Sequence, residues 1–200
     1  YKLSDLDWKI DRLFICGLSA NIYLFDGFFM SAGLVQGVND DIGHIEDSDW
    51  TDYTGNKTNY SRHDNSLEKA LFADAKIGYV FRPVQGFDVK PYLGYGFIDI
   101  KMQAKDGYLE YPPGSAAEQL YGTVMEYEQK YRIPYLGIGC GYSFSESFYG
   151  GLFFNITRFA SCDAVDNHLL RNMDFYDTMK KIFWAESGAA FDFKASERVV

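Results

Sequence analysis

Residues 128–144, EQKYRIPYLGIGCGYSF, decide the fold because their side chains alternate with a period of two. In an extended chain, alternate side chains point to opposite faces, so this stretch has one apolar face and one that holds Tyr135 and three glycines. Glycines on one face of a strand permit tight curvature of a sheet. The stretch therefore predicts a strand of a curved sheet, with an apolar face of Pro134, Leu136, Ile138, Cys140, Tyr142 and Phe144.

A second stretch, residues 68–81, alternates in the same way, with Ile77, Tyr79 and Phe81 on its apolar face and Asp74 and Lys76 on a mixed face. Extending the period-two pattern along the chain predicts seven strands and the beginning of an eighth. These cover residues 8–23, 28–45, 67–82, 88–104, 124–144, 148–163 and 172–193, and the eighth begins near residue 197.

The connections between these predicted strands alternate in length. Short connections fall at 24–27, 83–87, 145–147 and 194–196, and long ones at 37–66, 105–123 and 163–171. An up-and-down antiparallel barrel produces this alternation, because consecutive connections lie on opposite rims. The three long loops are therefore expected to share one rim.

Two kinds of up-and-down barrel fit this pattern. Lipocalin-like soluble barrels are apolar inside, whereas transmembrane barrels have a polar lumen and an apolar outer face. Charged residues here stand at positions that a polar lumen would use: Asp74, Lys76, Glu128, Lys130 and Arg132. We therefore predict an all-β, up-and-down antiparallel transmembrane β-barrel that forms one domain over residues 1–200.

Composition excludes several other classes of protein. The chain has 19 Lys+Arg against 28 Asp+Glu, a net charge of −9, which argues against nucleic-acid binding. A hydrophobic fraction of 47% argues against disorder. The longest uncharged runs, at 13–25 and 133–145, have 13 residues and are too short for a transmembrane helix. The three cysteines lack zinc-binding spacing, so no metal site is expected from them.

Two pairs of ionisable residues lie in the predicted long loops. Asp47 and Asp49 form one pair, and Asp166 with His168 forms the other, each at spacing i, i+2. In extended chain, residues at this spacing point to the same side, so each pair can act together. If the loops share a rim, the two pairs face each other across the barrel mouth.

The residue types in these pairs have chemical meaning. A carboxylate beside a histidine fixes its tautomer and stabilises the imidazolium, as a general base requires. Two close carboxylates do not both ionise easily, so one retains a proton and can stabilise an oxyanion or position water. Solvated loop acids are the simpler interpretation, and Asp47, Asp49 and Asp52 also offer oxygen ligands for Ca²⁺ without EF-hand spacing.

Several motifs resemble the omptins, a family of outer-membrane proteases of Gram-negative bacteria. They occur in the order and approximate spacing of that family along nearly the whole chain. They are SDLDWKI at residues 4–10, EDSDWTD at 46–52, SRH at 61–63, QKYRIPYLGI at 129–138 and DNH at 166–168.

The resemblance implies a ten-stranded barrel, about eight strands of which fall in this chain, so a fragment without the first and last strands is expected. It implies an endopeptidase whose water is activated by a His-Asp dyad opposite an Asp pair, near basic substrate residues. Asp47 and Asp49 match the family's Asp pair, and Asp166 and His168 match its dyad. The active site would face the exterior of the outer membrane.

The chain also departs from the family pattern. An acidic substrate-binding residue is expected two positions before the dyad Asp, where this chain has Ala164, and Asp163 is the nearest carboxylate. Omptins are stimulated by lipopolysaccharide. Tyr95 matches one lipid-contacting position and Lys130 replaces an arginine at another, but Phe97 and Asp99 stand where a carboxylate and an arginine are expected. No metal or other cofactor is expected.

Three functions remain open from the sequence. The first is an endopeptidase acting on peptides or proteins with basic residues, at the surface of the outer membrane. The second is a noncatalytic barrel, such as an adhesin, that uses the same acidic rim to bind basic peptides. The third is a porin-like channel, which would give the dyad no role. None of the three calls for a nucleic-acid partner.

Overall fold

The computed structural model describes residues 4–24, 27–52 and 55–193, and these form one antiparallel sheet. A short 3₁₀ turn, Leu169–Arg171, connects the two strands of the last hairpin. The strands are β1 (Ser4–Ile10), β2 (Ile15–Tyr23), β3 (Phe28–Gly37), β4 (Asp41–Asp49), β5 (Asn59–Tyr79), β6 (Phe81–Val84), β7 (Phe87–Glu110), β8 (Glu118–Gln119), β9 (Thr123–Ser143), β10 (Phe148–His168) and β11 (Met173–Phe193).

The sheet follows an up-and-down order in which each long strand pairs with its neighbours in sequence. β5, β7, β9, β10 and β11 are adjacent in that order. The first hairpin is interrupted, so that β2 pairs with β3 and β1 pairs with β4, and both β3 and β4 pair with β5. The seven predicted complete strands are confirmed as seven long antiparallel segments, and the predicted start of an eighth lies outside the described residues.

The sheet curls into an open half-barrel with two different faces. The concave face holds a buried cluster of Phe29, Val80, Tyr92, Ile133, Tyr135 and Ala160. The convex face exposes apolar side chains, among them Leu18 at 85%, Leu136 at 61% and Leu152 at 66% of their area. No helix among the described residues is long and apolar enough to cross a membrane.

The glycines of β9 leave space for aromatic rings on the concave face. A Cβ atom added at Gly137 would lie 2.0 Å from the Tyr92 ring, and one at Gly141 would lie 1.7 Å from the Tyr149 hydroxyl. Two of the three glycines predicted to permit curvature are therefore needed for close packing of neighbouring strands.

The predicted polar lumen is confirmed in part. Asp74 and Lys76 lie on the concave face, where the Tyr135 hydroxyl donates a hydrogen bond to Asp74. The placement of Glu128, Lys130 and Arg132 in the lumen was wrong. On β9 the buried concave residues are Ile133 and Tyr135, so these three charged residues point to the convex face, as the ion pairs Lys130–Glu128 and Arg132–Asp163 show.

Two of the predicted long loops were also wrong, because the strands continue further than expected. Residues 41–49 form β4, and residues 59–66 form the first part of β5. β10 continues to His168, and only a tight turn separates it from β11. β5, β9, β10 and β11 each have 21 residues, about twice the length that crosses a bilayer. The Asp47–Asp49 pair and the Asp166–His168 pair therefore lie on strands and not on loops.

Candidate active site

The Asp pair lies at the end of β4, on the concave face. Asp47 and Asp49 are two positions apart in a regular strand, so their side chains share a face. Asp49 is 6% exposed, and the Asn59 side-chain amide donates a hydrogen bond to it at 3.4 Å. Oδ1 of Asp47 is buried and has no hydrogen-bond partner within the described ranges. The two carboxylates therefore lie close together but differ in their hydrogen bonding.

The dyad lies at the end of β10. The distance between Nε2 of His168 and Oδ2 of Asp166 is 3.2 Å, and both side chains are less than one-fifth exposed. The edge of the His168 ring meets Phe175 of β11, with ring centroids 5.3 Å apart. Oδ1 of Asp166 is buried without a hydrogen-bond partner among the described residues. This is the geometry in which a carboxylate orients an imidazole.

A bulge in β10 places the dyad on the concave face. Asn155 and Thr157 are buried there, at odd positions, and the register then shifts between Thr157 and Ala160. After the shift, even-numbered residues face inward, and Asp166 and His168 belong to this set. A period-two pattern read across the bulge would place the dyad on the wrong face.

Arg171 links the two pairs. Its Nη2 atom lies 3.3 Å from Oδ2 of Asp49, although the two residues are 122 positions apart. The turn after β10 therefore reaches the end of β4 across the groove, which brings the Asp pair and the dyad to one site. Sequence analysis did not identify Arg171, because a single arginine in a turn carries no motif.

The charges at this site perturb each other. Burial and the Asp49 carboxylate raise the pKa of Asp47 above its ordinary range, against the opposing charges of Arg171, His168 and His63. The hydrogen bond that His168 donates to Asp166 raises the pKa of His168 above its ordinary value, against a lowering effect of burial. Asp47 raises the pKa of His168 as well. The two pairs thus interact electrostatically across the groove, as expected at a functional site.

Other predicted site residues lie elsewhere. Asp163 is on the convex side of β10, where Arg132 and Thr178 donate hydrogen bonds to it at 2.5 and 3.1 Å. The Arg132 guanidinium lowers the pKa of Asp163. Asp163 therefore does not face the groove, and its neighbour Ala164 faces the groove instead. Tyr95 and Lys130 are also on the convex face. Tyr95 is 47% exposed, and Lys130 forms an ion pair with Glu128.

The other two histidines also lie on strands. His63 is buried, with Nε2 3.0 Å from the Ser61 hydroxyl, and His44 lies 3.3 Å from Asp11. Across the described part of the chain, no three His, Cys, Asp or Glu side chains converge as a metal site would require.

The fold and the site together define a class of protein, a β-barrel protein of the outer membrane with carboxylates and a histidine at one rim. Within that class, the chain belongs to the omptin family, whose family model matches residues 1–199. It is an outer-membrane protein.

Two comparisons accompany the family match. The outer membrane protease OmpP of Escherichia coli K12 is 26% identical over 183 residues, which cover 87% of this chain and 58% of that protein. The crystal structure of the outer membrane protease OmpT from Escherichia coli superposes with a TM-score of 0.83, at 20% identity. That match covers 98% of this chain and 69% of the other. The chain thus spans less than two-thirds of the length of its curated relative.

Proposed function

We propose that this protein is an outer-membrane endopeptidase that uses a water molecule activated by His168. The observation that supports this most directly is that the Asp pair and the dyad lie at one site. His168 and Asp166 are 3.2 Å apart on one wall of the groove, and Arg171, from the turn after β10, forms a hydrogen bond with Asp49 on the other wall. The family and the names of its relatives agree with a protease.

The dyad supplies the base in this mechanism. In neutral His168, the Nε2–H group donates to Asp166, which leaves Nδ1 to accept a proton from water. The water oxygen attacks the peptide carbonyl carbon as its proton moves to Nδ1. The imidazolium then returns the proton to the amine nitrogen as the C–N bond breaks, and Asp166 stabilises the cation between these steps.

The Asp pair supplies the opposite side of the site. Asp47 and Asp49 hold the attacking water, and a protonated carboxyl in the pair donates a hydrogen bond to the tetrahedral oxyanion. The partly exposed groove has several carboxylates, and the whole chain carries a net charge of −9. This field favours cationic peptides, so we propose cleavage next to basic residues.

Outer-membrane lipid is the proposed second partner. Tyr95 and Lys130 lie on the convex face, beyond the apolar side chains that would contact the membrane interior. We propose that they contact lipopolysaccharide and that this lipid stimulates activity. Asp163 is not retained as a substrate residue, because its side chain lies on the same convex face in an ion pair with Arg132.

The test is cleavage of a fluorogenic peptide that contains Arg-Arg or Lys-Lys by the full-length protein, refolded with and without lipopolysaccharide. The His168→Ala variant should be inactive, and His44→Ala should remain active, because His44 pairs with Asp11 away from the groove. Cleavage that survives in His168→Ala would defeat the mechanism. A folded barrel that binds the peptide in both lipid conditions without cleaving it would favour the noncatalytic alternative.

A further inference from the structure

Arg171 brings a positive charge to a groove that also holds Asp47, Asp49, Asp166 and the histidines His63 and His168. Its side chain is 54% exposed, whereas that of its partner Asp49 is 9% exposed. The short 3₁₀ turn Leu169–Arg171 and the left-handed Asn172 that ends it hold Arg171 next to the dyad. The arginine therefore lies at the junction between the dyad and the Asp pair.

The two carboxylates of the pair are in unequal surroundings. Asp49 accepts hydrogen bonds from Asn59 at 3.4 Å and from Arg171 at 3.3 Å. Asp47 has a buried oxygen atom, Oδ1, with no partner in the described ranges. Burying a carboxylate is costly unless a cation and hydrogen-bond donors compensate it. Among the residues that the structure describes, only Asp49 has that compensation at hydrogen-bond distance.

We propose that Arg171 is a positioning residue that determines which member of the Asp pair carries the proton, by holding Asp49 as a carboxylate so that Asp47 is the acid. Protonated Asp47 then presents an O–H group to the groove. In the mechanism proposed above, on which this catalytic role rests, that group is the donor to the tetrahedral oxyanion.

The other charges around Asp47 are consistent with this assignment. Asp49 acts on it from the same strand, His63 from β5, His168 from β10, and Arg171 from the turn after β10. Burial and the Asp49 charge outweigh the lowering effects of Arg171, His168 and His63 and raise the pKa of Asp47. The raised pKa therefore agrees with the unequal hydrogen bonding of the pair.

The proton can be located without measuring cleavage. We suggest infrared titration of the refolded full-length protein labelled with ¹³C at the aspartate side-chain carboxyl, with Asp47→Asn/Asp49→Asn as the blank. The wild-type difference spectrum should show one protonated carboxyl near neutral pH. Asp47→Asn should lose this band, because Asp49 stays ionised beside Arg171. Adding Arg171→Gln to Asp47→Asn should restore a band, with its pH midpoint raised by about one unit or more.

Matched variants give the controls. Arg171→Lys should retain the wild-type titration because the cation is kept, and Arg12→Gln should have no effect, because Arg12 pairs with Asp41 on an exposed edge. Arg171 is half exposed on a turn, so Arg171→Gln is expected to fold, and Arg171→Met serves as a second uncharged variant. A band that persists in Asp47→Asn, or one that does not return on removal of the Arg171 charge, would overturn the proposal.

Activity then separates this proposal from the proposed function. If the wild type cleaves the peptide, both limbs of its pH–rate profile should move to higher pH in Arg171→Gln, since the charge of Arg171 opposes protonation of Asp47 and of His168. A merely structural role would lower the rate without moving the limbs. The expected infrared result in a protein that cleaves nothing would reject the protease but keep the role of Arg171 in protonation.

Discussion

At the scale of the residue, the site depends on how each ionisable group is compensated. His168 has a carboxylate 3.2 Å away, Asp49 has an arginine 3.3 Å away, and Asp47 has an oxygen with no partner among the described residues. In the proposed mechanism, these three environments suit the groups to different tasks as base, anion and acid. Environments that push titratable groups apart are how a protein assigns acid and base roles.

The dyad gives the first prediction. Asp166→Asn retains the size of the side chain but removes the charge that stabilises the imidazolium, so kcat should fall by about 10²- to 10⁴-fold. His168→Ala should cause a loss of similar size. Both variants should keep the far-ultraviolet circular dichroism and gel mobility of the folded barrel. Activity near that of the wild type in either variant would show that the base lies elsewhere.

The pKa of His168 gives the second prediction. Only neutral His168 can accept a proton, and its pKa is raised above 6.5 by the hydrogen bond with Asp166. The acid limb of kcat/KM should therefore have its midpoint above 6.5. In Asp166→Asn, the midpoint of the His168 titration measured by NMR should fall. The stabilisation from the charged pair is present at low pH and is lost as pH rises through the folded-state pKa. A rate that does not change between about pH 5 and 8 would contradict the assignment.

At the scale of the element, β9 and β10 carry both the packing and the site. Glycines on β9 admit aromatic rings from neighbouring strands, and the Tyr92 hydroxyl beside Gly137 donates a hydrogen bond of 2.7 Å to Asn155 of β10. Further along β10, the bulge between Thr157 and Ala160 turns the dyad toward the groove. One strand pair therefore links the closely packed part of the barrel to the end that holds the candidate site.

The glycines of β9 give the third prediction, with a matched control on the same face. Gly137→Ala would place a methyl group 2.0 Å from the Tyr92 ring and 2.4 Å from the Asn155 side chain, so both must move. We expect a loss of about 1–3 kcal/mol in the free energy of unfolding, measured by urea titration in lipid vesicles. Gly139→Ala meets its nearest neighbour, Lys90, at an ordinary 3.6 Å and should be close to neutral. Equal effects of the two variants would contradict the packing role.

At the scale of the whole molecule, the sheet has a membrane-facing part and a part that extends beyond it. The convex face is apolar around Leu93, Leu136 and Leu152. It becomes charged toward the end that holds the candidate site, where Lys69 pairs with Asp99 and Lys101 with Glu126. Water can solvate charges only outside the hydrocarbon region. The site therefore lies at the end of the barrel that extends out of the membrane.

This division gives the fourth prediction. Leu136→Arg puts a charge on the apolar belt and should cost about 2–4 kcal/mol of stability in a lipid bilayer. Tyr121→Arg, in the connection between β7 and β9, changes an 83% exposed residue and should cost little. Folding yield and urea unfolding in vesicles measure both effects. Similar stability of the two variants would show that Leu136 does not face lipid.

The sequence by itself determined the strands, their apolar face and the two i, i+2 pairs, because alternation of side chains in an extended chain is a local property. It also placed Asp74 and Lys76 correctly in the lumen. The motifs that resemble the omptin family are also local stretches of sequence and do not depend on how the strands pair.

Only the tertiary structure decided how far the strands continue and which face their outer ends present. Alternation does not show where a strand leaves the bilayer, and a bulge reverses the faces without a distinct sequence signal. β9 keeps one alternation from Met125 to Tyr142, so Glu128, Lys130 and Arg132 share the convex face of Leu136, and their charges lie where the strand extends beyond the apolar belt. The same extension places Asp47 and His168 on strands and not on loops. The contact between Arg171 and Asp49 joins residues 122 positions apart. It exists because sheet curvature brings two distant strand ends together, which no local pattern encodes.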